Sequence, residues 1–430
     1  MEEHVIATAA VADRVITRFQ EAAPDARPEK DPRFEAMTDV ERARFVAGLT
    51  NALGALHDSE KVRGVMNTPQ NKYASLLQTM IVEHRIDQEP IAGLETLEAK
   101  FDTHDWLGWL GTFWEMVKGA KKFEWRPPLE GAQQVDQFKD GARMAVFGDW
   151  GTGLYGAPHI AGNIANDPGP LDVILHLGDV YYSGKADEFK TRFTALWPRR
   201  DGALNRAVNG NHEMYCGGQP YIDAISSTTF KQARSCFAYE SDHWIVAGLD
   251  TAYDDHDLAN AQAEWLGRIV AGKDAQQNVV LFSHHQPFSL LSGQGPRLVE
   301  KLRPLLEGQK IFAWYWGHEH ECVIYDQHPQ WKLYGRCIGH AGMPEFRPKS
   351  MGAAVPARQF RRFGGKVESG ITVPGSWILD GPNPFIKGEE KKFSPHGYLM
   401  LRFEPDGLYE TVYDADGSIA RDENRLQAGS

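Results

Sequence analysis

The chain has only four cysteines in 430 residues, Cys216, Cys236, Cys322 and Cys337, and no two of them form a CxxC pair. Thiols so few and so scattered exclude the disulfide framework that staples small secreted domains. Long apolar runs are missing as well, and no stretch approaches the ~20 residues needed to span a bilayer. The opening MEEHVIATAAVADRVITRF lacks the basic start and apolar centre of an export signal and alternates charge with Ala and Val as an ordinary helix does. Positive charge is in deficit: 46 Lys and Arg face 58 Asp and Glu, for a net charge of −12. That balance argues against sequence-independent binding to nucleic acid or anionic lipid, which needs a cationic surplus. The expectation is a cytoplasmic protein with no membrane or nucleic-acid partner. A phosphorylated substrate stays admissible, because bound cations add local positive charge that the formal sum omits. Oligomeric state is not legible.

What is present is an ordinary globular composition, 42% hydrophobic and 24% charged, with enough apolar material for a sizeable core. Residues 1–125 read as a helical N-terminal domain, with apolar residues three and four apart in Val11, Val15, Ile16 and Phe19 and again in Tyr73, Leu76, Leu77, Met80 and Ile81. Trp106, Trp109, Phe113, Trp114 and Trp125 beside Lys118, Lys121 and Lys122 read as a helix face that docks on a neighbouring domain. Residues 126–141, bearing Pro127, Pro128, Gly131 and Gly141, read as a linker.

From 142 to 420 the texture changes. Short β-branched or aromatic runs at 144–147, 173–177, 206–208, 244–247, 279–282 and 312–316 end in Gly and polar residues, and helical patterns at 187–197, 261–271 and 297–306 separate several of them. This alternation implies a layered α/β domain. YLMLRFEPDGLYETVYDADG reads as two strands around a Pro-Asp-Gly turn, so the last sheet has antiparallel character. Residues 421–430 read as a frayed tail.

Five short motifs carry the chemistry, each where a predicted strand gives way to a loop: FGDWG with Asp149, LGDVYY with Asp179 and Tyr182, NGNHE with Asn211 and His212, SHHQP with His284 and His285, and WGHEH with His318 and His320. Strand ends are where open α/β sheets assemble sites, since loops converge there on a rigid scaffold. A carboxylate able to bridge, neutral imidazoles, and an amide or phenolate oxygen are what two adjacent metals require. Two cations about 3.5–4 Å apart can hold phosphoryl oxygens, lower the pKa of water and orient it for in-line attack. Each piece alone is weak, because a Gly-Asp is often a turn and a lone His is often structural. Order and context together make the signal specific.

The series GDxG, GDxxY, GNHE, His-x-Pro and GHxH resembles the purple acid phosphatase branch of the calcineurin-like metallophosphoesterases, over about residues 143–413. The resemblance implies a four-layer αββα sandwich, hydrolysis of phosphate mono- or diesters by metal-bound hydroxide, and two metal ions. One would be held by Asp149, Asp179, Tyr182 and His320, the other by Asp179, Asn211, His285 and His318. His212 would be the catalytic acid. Most relatives in the wider superfamily carry a His two residues after the first Asp, whereas Gly151 stands here, and Tyr182 would supply the missing ligand. A phenolate is a hard donor suited to iron, so iron paired with iron, zinc or manganese is the implied centre. His285 fits the His-x-Pro pattern and is read as the ligand, with His284 turned away as a nearby supporting residue and His340 at the rim.

Three other readings compete. A Ser/Thr protein phosphatase carries Asp-Arg-Gly after its second Asp motif, and this chain has GDVYYSG. A cyclic-nucleotide or other phosphodiesterase would share the metals and differ in the pocket, although such relatives usually keep the first motif as Asp-x-His. A non-catalytic scaffold would have lost ligands, and every expected position here carries a competent residue.

Overall fold

Among the described residues, seventeen strands and the helices between them follow from the alternation of apolar runs with Gly-rich exits. The computed structural model describes residues 121–427, apart from 130–134, Tyr182, Asn260, 292–294, Phe346, 348–354 and Glu389. The expected helical N-terminal domain lies outside the described residues save for 121–125.

In chain order the strands are β1 (Asp136–Gln137), β2 (Ala142–Phe147), β3 (Val173–His176), β4 (Leu204–Ala207), β5 (Phe237–Glu240), β6 (Trp244–Gly248), β7 (Asn278–Ser283), β8 (Ala313–Trp316), β9 (Cys322–Gln327), β10 (Tyr334–Ile338), β11 (Gln359–Phe363), β12 (Lys366–Glu368), β13 (Ile371–Val373), β14 (Ser376–Asp380), β15 (Gly397–Glu404), β16 (Gly407–Asp414) and β17 (Ile419–Leu426). One sheet has the order β1-β5-β6-β7-β8-β10-β9-β14-β11, a second has β17-β16-β15-β2-β3-β4, and β12 and β13 form a small hairpin. Within the second sheet β2, β3 and β4 run parallel, and within the first so do β6, β7 and β8.

The side chains of these strands alternate between two cores, as the two-residue period of a strand requires. Val146, Leu175, Leu399 and Leu401 of one sheet meet Val246, Val280, Phe282 and Tyr315 of the other, so the sheets pack face to face. The opposite-facing Ala145, Phe147, Ile174 and Met400 pack under helix α1 (Ala157–Ala165) and the turn at Phe189–Thr194. On the outer face of the other sheet, Ala247, Leu281 and Trp314 are covered by helix α2 (Gln262–Ala271) and helix α3 (Pro296–Glu307), through Trp265, Leu266, Leu298 and Leu302. The result is the αββα sandwich. No helix among the described residues is long and apolar enough to cross a membrane.

Two stretches differ from the reading of the sequence. Asp136–Gln137, inside the expected linker, pairs parallel with β5 as an edge strand, and Phe123 just before the linker is buried against Tyr221 and Tyr253. The expected tail is also structured. β17 pairs antiparallel with β16 and buries Leu426 opposite Leu408, with Ala420 also packed against the inter-sheet core.

One ion pair ties the sheets together. Arg336 on β10 donates Nε and Nη2 to the carboxylate of Glu410 on β16 at 2.9 and 3.0 Å, Tyr315 donates its hydroxyl to the same carboxylate at 2.6 Å, and both charged residues are almost fully buried. Removing one partner of such a pair leaves a buried charge alone, which costs about 3–5 kcal/mol. Arg336→Met should lower the unfolding free energy by that order in urea denaturation, and adding Glu410→Met should restore part of it.

A second carboxylate sets acid stability. Asp380 is buried, which by itself raises its pKa, but hydrogen bonds from Arg347 and Arg361 outweigh burial and hold it below the usual carboxylate range. A lowered folded pKa gives stability that is present above the unfolded value of about 3.9 and is lost as pH falls through the folded value. Asp380→Asn should therefore lie below wild type by a constant margin from about pH 5 to 8, and the gap should narrow below about pH 4, measured by denaturation across pH.

Candidate metal centre

The parallel strands of both sheets end at the same edge of the sandwich, and their exits carry the motifs. Asp149 follows β2, Asp179 follows β3, Asn211 follows β4, His284 follows β7, and His318 and His320 follow β8. All six are buried. Asp149, Asp179, His318 and His320 have φ values of 56, 75, 70 and 53°, a left-handed conformation that side chains rarely adopt. Strain of this kind persists only where surrounding structure fixes it, and it gathers at functional sites. The motif glycines make the close packing possible: a Cβ on Gly210 would lie 2.2 Å from Asp179 Oδ1, and one on Gly317 would lie 2.7 Å from Asp149 Oδ2.

Two donor groups result, and they share Asp179. One contains Asp149, Asp179 and His320, the other Asp179, His284 and His318, with the candidate donor atoms of each group within 4.8 Å of one another. In the first, the Tyr181 hydroxyl lies 2.9 Å from Asp149 Oδ1, 3.3 Å from Asp179 Oδ2 and 3.0 Å from His320 Nε2. In the second, His284 Nε2 lies 2.9 Å from Asn211 Oδ1, 3.1 Å from His318 Nδ1 and 3.3 Å from Asp179 Oδ1. Buried carboxylates, imidazoles, an amide and a phenol on one spot are a poor core and a suitable donor set for two cations, so the residues present fit such a centre.

The electrostatics agree with that fit. Burial pushes Asp179 up to about 6 against the pull of His212. Burial also tends to raise Asp149, yet His320 and His284 outweigh it and hold that carboxylate below its ordinary value. Glu213, which accepts the backbone N–H groups of Asp179 and Gly210, is pushed well up by burial and by Asp179. Burial brings His284 down to about 4, and burial with neighbouring imidazoles brings His285 and His318 well down, so these rings are neutral and able to ligate. His320 goes the other way. Its two carboxylate neighbours, Asp149 and Glu345, overcome burial and lift it to about 10.

Asp149, Asp179, Asn211, His318 and His320 come together. At the histidine doublet it is His284 that enters the group, because its Nδ1 lies 2.8 Å from the Leu177 carbonyl and the ring is thereby turned with Nε2 inward. His285, expected there, faces Thr251 and Asp255 instead. Tyr182 lies outside the described residues, and the phenol in the cluster belongs to its neighbour Tyr181. His212 sits beside the group: its backbone N–H donates to Asp179 Oδ1 at 3.1 Å, its Nε2 is 3.8 Å from Asp179 Oδ2, and its ring packs on Tyr181 and Tyr215. His340 is buried outside all three donor groups found among the described residues, held down to about 3 by burial.

Three residues had not been singled out from the sequence. Glu345 lies 3.5 Å from His320 Nδ1 and faces the side of that ring away from Asp149. Tyr181 stands one position before the tyrosine that the GDxxY spacing selects. His256, in the loop after β6, stands against His285 and His318, and its only signal was an isolated His in the acidic run YDDHD.

Comparison with known proteins bears on the same stretch. Residues 142–322 match the calcineurin-like phosphoesterase family. Tartrate-resistant acid phosphatase type 5 of Rattus norvegicus is 28% identical over 220 residues, which cover 41% of this chain and 66% of that protein, just under two thirds of its length. A purple acid phosphatase from seeds of yellow lupin (Lupinus luteus) is similar in structure, with a TM-score of 0.49 and 15% identity, over 66% of this chain and 53% of that one. A dimetal phosphatase from Danio rerio has a TM-score of 0.41 and 12% identity, over 67% of this chain and 99% of that one. The stretch that matches the calcineurin-like phosphoesterase family contains the strand exits that carry Asp149, Asp179, Asn211, His284, His318 and His320.

Proposed function

We propose that this chain hydrolyses phosphate mono- or diesters with two metal ions, one held by Asp149, Asp179, Tyr181 and His320 and the other by Asp179, Asn211, His284 and His318. The observation that carries this reading is Asp179, a buried carboxylate common to two donor groups that each draw on both sheets. When bound, such a pair binds phosphoryl oxygens and makes water nucleophilic near neutral pH. The chain does the rest. Asp179 sets the spacing, the Leu177 carbonyl orients His284, and Glu345 fixes the direction of His320.

His212 is the proton donor to the leaving oxygen in this reading. It is held at the edge of the donor groups by its own backbone bond to Asp179 and by ring contacts with Tyr181 and Tyr215, a placement that suits general acid catalysis. Iron, zinc and manganese all suit the mixed oxygen and nitrogen donors, and a phenolate favours iron. A reducing compartment such as the cytoplasm fits the four cysteines, all of which are free thiols. A phosphorylated small molecule or a diester is the substrate class.

Asp179→Asn should reduce hydrolysis of a chromogenic phosphomonoester and diester to the level of the chelated wild type, while circular dichroism stays native. Retention of chelator-sensitive hydrolysis by that variant would end the dinuclear reading. His212→Ala should lower kcat by about 10²–10⁴-fold for alkyl phosphates and far less for a nitrophenyl ester, whose leaving group needs no proton. An equal loss on both would make His212 structural. If the purified protein holds ferric iron, Tyr181→Phe should abolish its visible absorption and Tyr182→Phe should keep it, and the opposite result would move the ligand to Tyr182.

A further inference from the structure

Beside the two donor groups lies a third cluster, of which the proposed reaction uses only His318. The loop leaving β6 runs through Asp250 and Thr251 to Asp255 and His256, and it places His256 Nε2 3.3 Å from His318 Nε2. The His256 and His285 ring centroids are 3.9 Å apart, and those of His285 and His318 are 4.6 Å apart. One ring nitrogen from each of the three histidines lies within 4.8 Å of the other two.

Each ring is turned so that a nitrogen faces the common centre. Thr251 Oγ1 accepts the His285 backbone N–H at 3.0 Å and lies 3.0 Å from His285 Nδ1. His285 Nε2, fully buried, has no hydrogen-bond partner and faces Asp255 Oδ1 at 3.6 Å. Asp255 Oδ1 also lies 2.9 Å from His256 Nδ1, the arrangement in which a carboxylate fixes a metal-binding imidazole with its other nitrogen outward. His256 has φ 59°, the same left-handed region as Asp149, Asp179, His318 and His320. Two nitrogens each about 2.0–2.1 Å from a tetrahedral zinc-class ion stand about 3.3 Å apart, which matches the His256–His318 separation. His318 has a nitrogen for each side, with Nδ1 on His284 and Nε2 on His256.

We propose that His256, His285 and His318, with Asp255 at the rim, form a third cation site for a zinc-class divalent ion, joined to the inner pair through the His318 ring. Three imidazoles and one carboxylate are a borderline donor set, suited to Zn(II), Co(II) or Fe(II) and unsuited to Mg(II) or Ca(II). The His256 side chain is 17% exposed, which gives the ion an entry path and a place for a solvent or phosphate oxygen. With ions on both sides, the His318 ring would have to give up its last ring proton to solvent, because both nitrogen lone pairs would be needed as donors. The site adds positive charge beside the cleft of the proposed phosphoesterase and rests on that reading only for the identity of the inner pair.

The test uses the full chain, stripped by chelator, reloaded with Zn(II) alone, dialysed and assayed for metal by mass spectrometry. Wild type is expected to hold about three ions, His256→Gln about two, and His256→Cys, which restores a zinc ligand, about three. With Co(II), the His256→Gln difference spectrum should show loss of the intense visible bands of a tetrahedral site. Equal metal content in wild type and His256→Gln would overturn the third site. Asp179→Asn separates the two claims. It should lose inner ions, and if it does not, the dinuclear reading falls while the His256 comparison still reads the outer site.

Discussion

The site depends on one constraint, the burial of Asp179 between two sheets. Its carboxylate is removed from water, held in a left-handed backbone conformation and pressed by the neighbouring turn at Gly210. A lone carboxylate in that position would be driven toward protonation, and its lift to about 6 expresses that pressure. Neutralisation by cations is the alternative to protonation, and the surrounding donors are arranged for it. The scaffold must therefore hold the exits of β2, β3 and β4 against those of β7 and β8 to within fractions of an ångström, and the inter-sheet core with its Arg336–Glu410 pair is what locks the two sheets face to face.

Much of this was legible in the sequence because a strand followed by Gly and a polar residue announces both the element and its exit. The runs at 144–147, 279–282 and 313–316 and the helices over 262–271 and 296–307 fall where the patterning puts them. What was not legible lies in three kinds of place. The strands between β9 and β14 carry mixed polarity, since one face of that sheet end is partly exposed, and no clean alternation marks them. β17 owes its place to a register with β16 and one buried Leu426, a long-range fact that its charged composition hides.

The doublets are the third kind. Within a strand, side-chain direction follows from parity, but parity stops where φ turns positive. Tyr181–Tyr182 follows Asp179 at φ 75°, and His284–His285 leaves β7 toward a buried carbonyl. At the histidine doublet the inward residue is chosen by a hydrogen-bond partner: the Leu177 carbonyl turns His284 toward the group and Thr251 holds His285 aside. A motif counts positions and has no access to those partners. His256 was invisible for a related reason, since its neighbours in space come from β7 and β8 and its neighbours in sequence say only that it lies in an acidic loop.

The buried histidines show how far partner and place decide the role of one residue type. His176 lies among Phe147, Trp150 and Phe193, and burial holds it down to about 3 as a neutral ring in an aromatic core. His320, also buried, is raised to about 10 by Asp149 and Glu345. A cation beside Asp149 would offset the same carboxylate charge that now favours a proton on His320, so metal loading and loss of that proton are one coupled event. The acidic balance of the whole chain works in the same direction. A net charge of −12 favours accumulation of cations around the chain.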